Sequence, residues 1–186
     1  MIRAPGPLRD YRAGFLAPPA ASRLLQALLT EARWVQESLT LFGRPRPVPR
    51  LVAWYGDPGI NYRYAGADHV CEGWLAPLTV LRRRLASEFG FASNLVLLNR
   101  YRDGNDAMGW HRDDEPGLDP CVASVSLGAP RRLLVRPDAA ARSQALTLEH
   151  GSLLLLDGTQ RHALPRTRRP VAERINLTFR RLAPAA

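Results

Sequence analysis

Two short motifs in the C-terminal half of the chain carry side chains that could do chemistry. In the first, His111-Arg112-Asp113, the imidazole and the carboxylate lie two residues apart, so an extended segment presents both to one ion. His162 follows 49 residues after Asp113. Two imidazoles and a carboxylate are the ligand set of mononuclear Fe(II) oxygenases, which leave coordination positions open for a co-substrate and dioxygen. A His-x-Asp triplet alone is common in proteins, so this assignment depends on the second motif.

The second motif is the stretch RINLTFR at residues 174–180. As a strand it alternates its side chains between an apolar face and a face formed by Arg174, Asn176, Thr178 and Arg180. Two guanidinium groups flanking two hydrogen-bonding side chains are typical of a carboxylate or phosphate site, because the guanidinium fork binds such anions bidentately. Together the two motifs predict an iron dioxygenase that uses a dicarboxylate co-substrate.

The charge of the chain indicates a polyanionic partner. Among its 186 residues are 26 basic and 17 acidic ones, for a net charge of +9, and every basic residue is arginine. The absence of lysine, together with abundant alanine and proline, indicates a GC-rich genome, but it does not explain the excess of positive charge. That excess favours nucleic acid as the partner. A basic surface without a specific partner is the alternative.

The cysteine content and the hydropathy favour a protein of the bacterial cytosol. Cys71 and Cys121 are the only cysteines and have no paired spacing, which fits a reducing compartment. The N-terminus shows no continuous apolar segment with a cleavage site, and there is no run of about 18 apolar residues. We therefore expect no membrane association, and we expect a monomer.

The pattern of apolar residues predicts two helices followed by many short strands. Leucine periodicity predicts helices over residues 20–34 and 76–89, with a first strand at 51–55 between them. Further strands, separated by turns, are expected at 95–101, 122–127, 131–136, 145–148, 152–156 and 174–180. This order predicts a mainly β (α+β) fold, a double-stranded β-helix or jelly roll buttressed by the N-terminal helices.

Several segments of the chain, taken in order, carry a resemblance to a known family. They are Asn99-Arg100-Tyr101, HRDDE at 111–115, ASVSLG at 123–128, His150-Gly151, His162 and RINLTFR at 174–180. These segments resemble the AlkB family of Fe(II)/2-oxoglutarate dioxygenases. The match covers about residues 40 to 181, leaves every expected metal ligand in place and is most similar to the branch that repairs duplex DNA.

The resemblance implies where the cofactors bind. Fe(II) is expected on the catalytic residues His111, Asp113 and His162, and 2-oxoglutarate on Arg174 and Arg180, with O2 as the second co-substrate. Three further residues are expected to contact 2-oxoglutarate: Asn99, Tyr101 and Asn176. For Arg180 a second role is open, in which it supports the metal ligands.

The resemblance also implies five substrate-binding residues: Leu41, Phe42, Tyr62, Tyr64 and Glu115. Glu115 belongs to an acidic cluster that would favour a cationic methylated base. Tyr64 is expected to stack on the flipped base, and Tyr62 to contact a phosphate or a base edge. Leu41 and Phe42 fit a wedge that enters the base stack, with a core contact after the first helix as the alternative.

The expected activity is oxidative demethylation of N-alkylated bases in DNA, of the 1-methyladenine and 3-methylcytosine type, with release of formaldehyde, succinate and CO2. The alternatives are the same chemistry on RNA, on a protein or on a small molecule, and a non-catalytic nucleic-acid-binding module. We expect an irregular arm at 1–18 and one domain at 19–186. Within it, residues 19–93 would be the helical, nucleotide-recognition part and residues 94–181 the jelly-roll catalytic core.

Overall fold

The computed structural model describes residues 8–41, 43–64, 67–136 and 142–183. They form a six-stranded sheet, a four-stranded sheet, two two-stranded hairpins and two helices. In chain order the elements are β1 (Leu8–Arg12), α1 (Pro18–Glu31), β2 (Ser38–Leu41), β3 (Arg44–Pro47), β4 (Leu51–Gly56), β5 (Asn61–Tyr64), β6 (Ala67–Val70), α2 (Ala76–Phe89), β7 (Leu95–Tyr101), β8 (Met108–His111), β9 (Cys121–Gly128), β10 (Arg131–Arg136), β11 (Gln144–Leu148), β12 (Ser152–Asp157), β13 (Arg161–Leu164) and β14 (Arg174–Arg180).

The two larger sheets pack face to face. The six-stranded sheet has the order β1-β12-β9-β14-β7-β4, and the four-stranded sheet has the order β11-β10-β13-β8. Leu133, Val135 and Leu148 of the smaller sheet pack against Leu154 and Leu156 of the larger one. Two packed antiparallel sheets with two helices are the architecture expected from the sequence, so the predicted mainly β jelly roll is confirmed.

The apolar face of β14 belongs to the main core. Ile175, Leu177 and Phe179 are fully buried and cluster with Leu28 of α1 and Leu81 of α2. Because the helices cover this face, the polar face of the same strand points to the space between the sheets. The alternation of RINLTFR thereby assigns one face to the core and the other to a cavity.

The helices begin and end at recognisable residues. α1 spans Pro18–Glu31, against the predicted 20–34, and its first turn contains proline, whose missing N–H costs nothing there. α2 spans Ala76–Phe89 as predicted, and Gly90 ends it with a φ of 63°. Among the described residues, neither helix is long and apolar enough to cross a membrane.

One N-terminal segment differs from the sequence prediction. The arm at 1–18 is not irregular throughout, because Leu8–Arg12 forms β1 and pairs with β12 at the edge of the six-stranded sheet. In the Pro- and Arg-rich segment that follows α1, β3 pairs with β2 in a hairpin. The prolines of β3 are tolerated because each strand of a two-stranded sheet has one unpaired edge. The assignment of recognition to 19–93 and catalysis to 94–181 stays a prediction.

Candidate active site

The space between the sheets contains a cavity in which the two sequence motifs meet. β14 lies between β7 and β9, with Arg174 opposite Tyr101 and Asn176 opposite Asn99. Directly opposed residues of antiparallel strands lie on the same face of a sheet, and these four side chains line the cavity. The four-stranded sheet closes the other side.

The three predicted metal ligands lie together at this cavity. β13 pairs with β8 so that His162 stands directly opposite His111, with ring centroids 4.1 Å apart. Asp113 follows the end of β8. Its Oδ1 lies 3.7 Å from Nε2 of His111, and its Oδ2 lies 3.8 Å from Nε2 of His162. One ligand atom from each residue lies within 4.8 Å of the others, so the three side chains could hold one metal ion.

Hydrogen bonds to the backbone fix which ring nitrogens are available. Nδ1 of His111 lies 2.9 Å from the carbonyl oxygen of Gly109, and Nδ1 of His162 lies 2.9 Å from that of Gln160. A carbonyl oxygen only accepts, so Nδ1 carries a proton in both rings and Nε2 is the nitrogen that faces Asp113. Burial, and next the charge of His162, lower the pKa of His111 to about 4, so its imidazole is neutral at physiological pH. This donor set fits Fe(II).

Arg180 contacts the metal-ligand carboxylate. Asp113 is 3% exposed, and Nη2 of Arg180 lies 2.8 Å from its Oδ1. Burial by itself would raise the pKa of Asp113, but Arg180 and the two histidines hold it below its usual value. Nη1 of Arg180 donates to the hydroxyl of Tyr62 at 2.7 Å and lies 3.7 Å from the carboxylate of Glu115. This geometry corresponds to the second of the two roles left open for Arg180 by the sequence, in which it supports the metal ligands.

Arg174 is the buried cation at the other end of the motif. It is 1% exposed, its Nη2 donates to Oγ of Ser126 at 2.9 Å, and its guanidinium lies 5.4 Å from the ring centroid of Tyr101. Burial lowers its pKa to about 10, so it stays charged at neutral pH. Within the described part of the chain, Arg174 has no carboxylate partner. A buried unpaired charge is costly, and an anionic ligand would compensate it.

The amide side chains beside Arg174 are held by neighbours that the motif analysis did not single out. Nδ2 of Asn176 donates to Oγ of Ser124 at 2.8 Å, and its Oδ1 accepts from the hydroxyl of Thr178 at 3.0 Å. Asn99 accepts a hydrogen bond from Arg50 at 2.7 Å. The serines of ASVSLG stand two positions apart on β9, so their alternation could have placed them on the face of the sheet that carries Arg174 and Asn176. Arg50 has no such local signal.

The structure describes the side chains of only some of the residues expected to bind the substrate. Tyr62 is buried, packs on Trp54 with ring centroids 5.2 Å apart, and has its pKa raised, first by burial. Its hydroxyl thus faces Arg180 and Glu115 inside the protein. Phe42 lies outside the described residues, and so do the side chains of Leu41 and Tyr64, whose backbones belong to β2 and β5. Their roles stay predictions.

Comparison with known proteins places the chain in a family. It matches the 2OG-Fe(II) oxygenase superfamily over residues 10–180. It is 36% identical over 200 residues to the protein of Mus musculus named DNA oxidative demethylase ALKBH2, covering 98% of this chain and 83% of that protein. It is 32% identical over 187 residues to the Alpha-ketoglutarate-dependent dioxygenase alkB homolog 3 of Rattus norvegicus, covering 92% of this chain and 63% of that protein.

Solved structures agree at the level of the fold. The structure of OsALKBH1 superposes with a TM-score of 0.61 at 16% identity, covering 92% of this chain and 97% of that one. A 2OG-Fe(II) oxygenase family oxidoreductase from Burkholderia pseudomallei gives a TM-score of 0.60 at 16% identity, covering 87% of this chain and 80% of that one. The chain belongs to the 2OG-Fe(II) oxygenase superfamily, and the resemblance to the AlkB family is confirmed. Its cofactors are Fe(II), 2-oxoglutarate and O2.

Proposed function

We propose that this protein is an oxidative DNA demethylase that removes N-methyl groups from damaged bases. The observation that carries the proposal is the meeting of the His111–Asp113–His162 cluster and the buried Arg174 in one cavity. A metal-ligand set beside a carboxylate-binding cation is what a 2-oxoglutarate oxygenase needs. DNA as the substrate is supported by the relatives named DNA oxidative demethylase, which align with nearly the whole chain.

The three ligand side chains would hold Fe(II) on one face. His111 and His162 offer Nε2, and Asp113 offers a carboxylate whose orientation is set by Arg180. A ligand carboxylate that is itself hydrogen-bonded keeps its position and its charge, so Arg180 acts through Asp113.

Arg174 would bind the distal carboxylate of 2-oxoglutarate, with Asn176, Asn99 and Tyr101 lining the same cavity. The aliphatic side chains between the sheets keep water out, which strengthens the ionic contact. When bound, Fe(II) with 2-oxoglutarate and O2 supplies the oxidation of the N-methyl C–H bond, with formaldehyde, succinate and CO2 as the products.

Glu115, Tyr62 and Arg180 would form the wall that faces the methylated base. Methylation at N1 of adenine or N3 of cytosine makes the base cationic, and the half-buried carboxylate of Glu115 opposes that charge. The methyl group of a paired base is enclosed in the duplex, so the base must be flipped or single-stranded. The predicted stacking by Tyr64 and the predicted Leu41–Phe42 wedge belong to this step.

The proposal extends to the surroundings of the enzyme. Cys71 and Cys121 are not joined in a disulfide, which fits the reducing bacterial cytosol expected from the sequence. The partner is alkylated DNA, with RNA as the second nucleic acid to compare, and the protein acts as a monomer.

Demethylation can be measured directly by oligonucleotide mass. The purified protein is incubated with Fe(II), 2-oxoglutarate, ascorbate and oligonucleotides that carry one 1-methyladenine or 3-methylcytosine, as DNA single strands, DNA duplexes and RNA. We expect loss of one methyl group from DNA that depends on 2-oxoglutarate and is abolished in His111→Ala. The Arg174→Ala variant should need a much higher 2-oxoglutarate concentration for the same turnover. Succinate formation without demethylation of DNA would assign the chemistry to RNA or to another substrate.

A further inference from the structure

Arg50 ends an Arg- and Pro-rich segment that by its composition belongs on the surface, yet the structure buries it. The residue is only 4% exposed. Its Nε–H donates to Oδ1 of Asn99 at 2.7 Å, across the pairing of β4 with β7. Asn99 is 3% exposed and lines the cavity that contains Arg174. Arg50 therefore contacts a cavity residue from outside the cavity.

This hydrogen bond sets the orientation of the Asn99 amide. The Nε of an arginine is always protonated, so it can only donate, and the amide atom that it meets must be the carbonyl oxygen. With Oδ1 held by Arg50, the Nδ2 group of Asn99 is directed away from Arg50. Among the described residues, none accepts a hydrogen bond from Nδ2 of Asn99. Because Asn99 lines the cavity, the two hydrogens of Nδ2 can donate to a ligand with acceptor oxygens.

We propose that Arg50 is a positioning residue for 2-oxoglutarate, which fixes the Asn99 amide so that its NH2 group meets a co-substrate oxygen. The inference rests on the proposed use of this cavity by 2-oxoglutarate and is independent of the methylated substrate. The two ends of an amide are nearly equal in shape, so without Arg50 the Asn99 side chain can turn over. Its carbonyl oxygen would then face the anion and repel it.

Binding of 2-oxoglutarate to the Mn(II)-loaded protein, measured by calorimetry without DNA and without oxygen, tests this role. Arg50→Met should raise the dissociation constant about tenfold, which corresponds to one lost hydrogen bond. Arg83→Met makes the same substitution at an exposed arginine of α2 and should change the dissociation constant less than about twofold. An unchanged dissociation constant in Arg50→Met would overturn the proposal.

A double-mutant cycle separates positioning from a general effect of the buried charge. If Arg50 acts through Asn99, Arg50→Met should have an effect below about twofold in an Asn99→Ala background. A full tenfold effect in that background would overturn the proposal. Thermal unfolding shows whether each variant is folded, and if Arg50→Met is not, the same cycle is measured with Arg50→Lys, which keeps the charge and loses the fixed Nε–H donor. A lack of DNA demethylation would leave this binding result intact, so the two proposals fail independently.

Discussion

At the scale of single residues, the site consists of charges that are buried before any ligand arrives. Asp113 is compensated by Arg180, whereas Arg174 has only a hydroxyl and an aromatic ring as described neighbours. Burial keeps the His111 imidazole neutral at physiological pH, and Nδ1 of both histidines is hydrogen-bonded to a backbone carbonyl. The metal end of the cavity is therefore preorganised. The co-substrate end carries the buried charge of Arg174, which an anionic ligand would compensate.

The neutral His111 predicts an acid-sensitive metal-free protein. Its pKa is lowered from 6.5 to about 4, so between these values the unfolded chain binds a proton that the folded chain does not. The free energy of unfolding should thus fall as the pH decreases from about 6.5 to about 4, by at most about 3.5 kcal/mol, since each pKa unit corresponds to about 1.4 kcal/mol. Urea denaturation in the presence of a chelator measures this loss.

His111→Gln is the control for this pH dependence, because glutamine does not titrate. Most of the loss between about pH 6.5 and about pH 4 should disappear in that variant. An unchanged pH profile would assign the titration to another group.

At the scale of elements, β14 determines the geometry of the co-substrate site. It is paired on both sides, so its register is fixed by β7 and by β9 together. At its first residue, Arg174 stands opposite Gly128, which has a φ of 88°. A side chain at Gly128 would overlap the carbonyl oxygen of Glu173, so only glycine lets the two backbones approach here.

Gly128→Ala should therefore destabilise the protein and weaken 2-oxoglutarate binding together. We expect a loss of about 3 kcal/mol or more in the free energy of unfolding, from strain and overlap combined. Denaturant unfolding and calorimetry with 2-oxoglutarate measure the two effects.

Gly59→Ala is the matched control, because Gly59 has a φ of 85° and a Cβ added there would meet no atom within 4 Å. It should cost only about 1–2 kcal/mol and leave 2-oxoglutarate affinity unchanged. Equal losses in both variants would show that the close approach at Gly128 is not what holds Arg174.

At the scale of the whole molecule, the net charge of +9 acts on any polyanion that approaches the cavity. Arg174, the cation proposed to bind 2-oxoglutarate, is buried between the sheets and is not part of this outer electrostatic field. DNA binding and 2-oxoglutarate binding should thus respond differently to salt.

DNA affinity should fall steeply with ionic strength. For an interface of about four to five phosphate contacts, the expected loss between about 50 and about 200 mM salt is on the order of a few hundredfold. Fluorescence anisotropy with a labelled oligonucleotide measures it. Affinity for 2-oxoglutarate, bound at the buried Arg174, should change far less over the same range. A DNA affinity without salt dependence would argue against phosphate binding and favour a substrate other than nucleic acid.

Much of the site could be predicted from the sequence because its chemistry follows short periodic patterns. The two-residue alternation of RINLTFR assigns its polar and apolar faces, and His-x-Asp places two ligands on one side of a segment. The leucine spacing of α2 also predicted its bounds correctly, since helix periodicity and a terminal glycine are local signals.

The tertiary structure alone decided which neighbours these side chains have. Arg180 contacts Asp113, Tyr62 turns its hydroxyl inward, Arg50 is buried against Asn99, and β1 joins the six-stranded sheet. Each of these depends on a pairing between segments distant in the chain. A local pattern states which residues share a face, but only the packing of the sheets determines what that face meets.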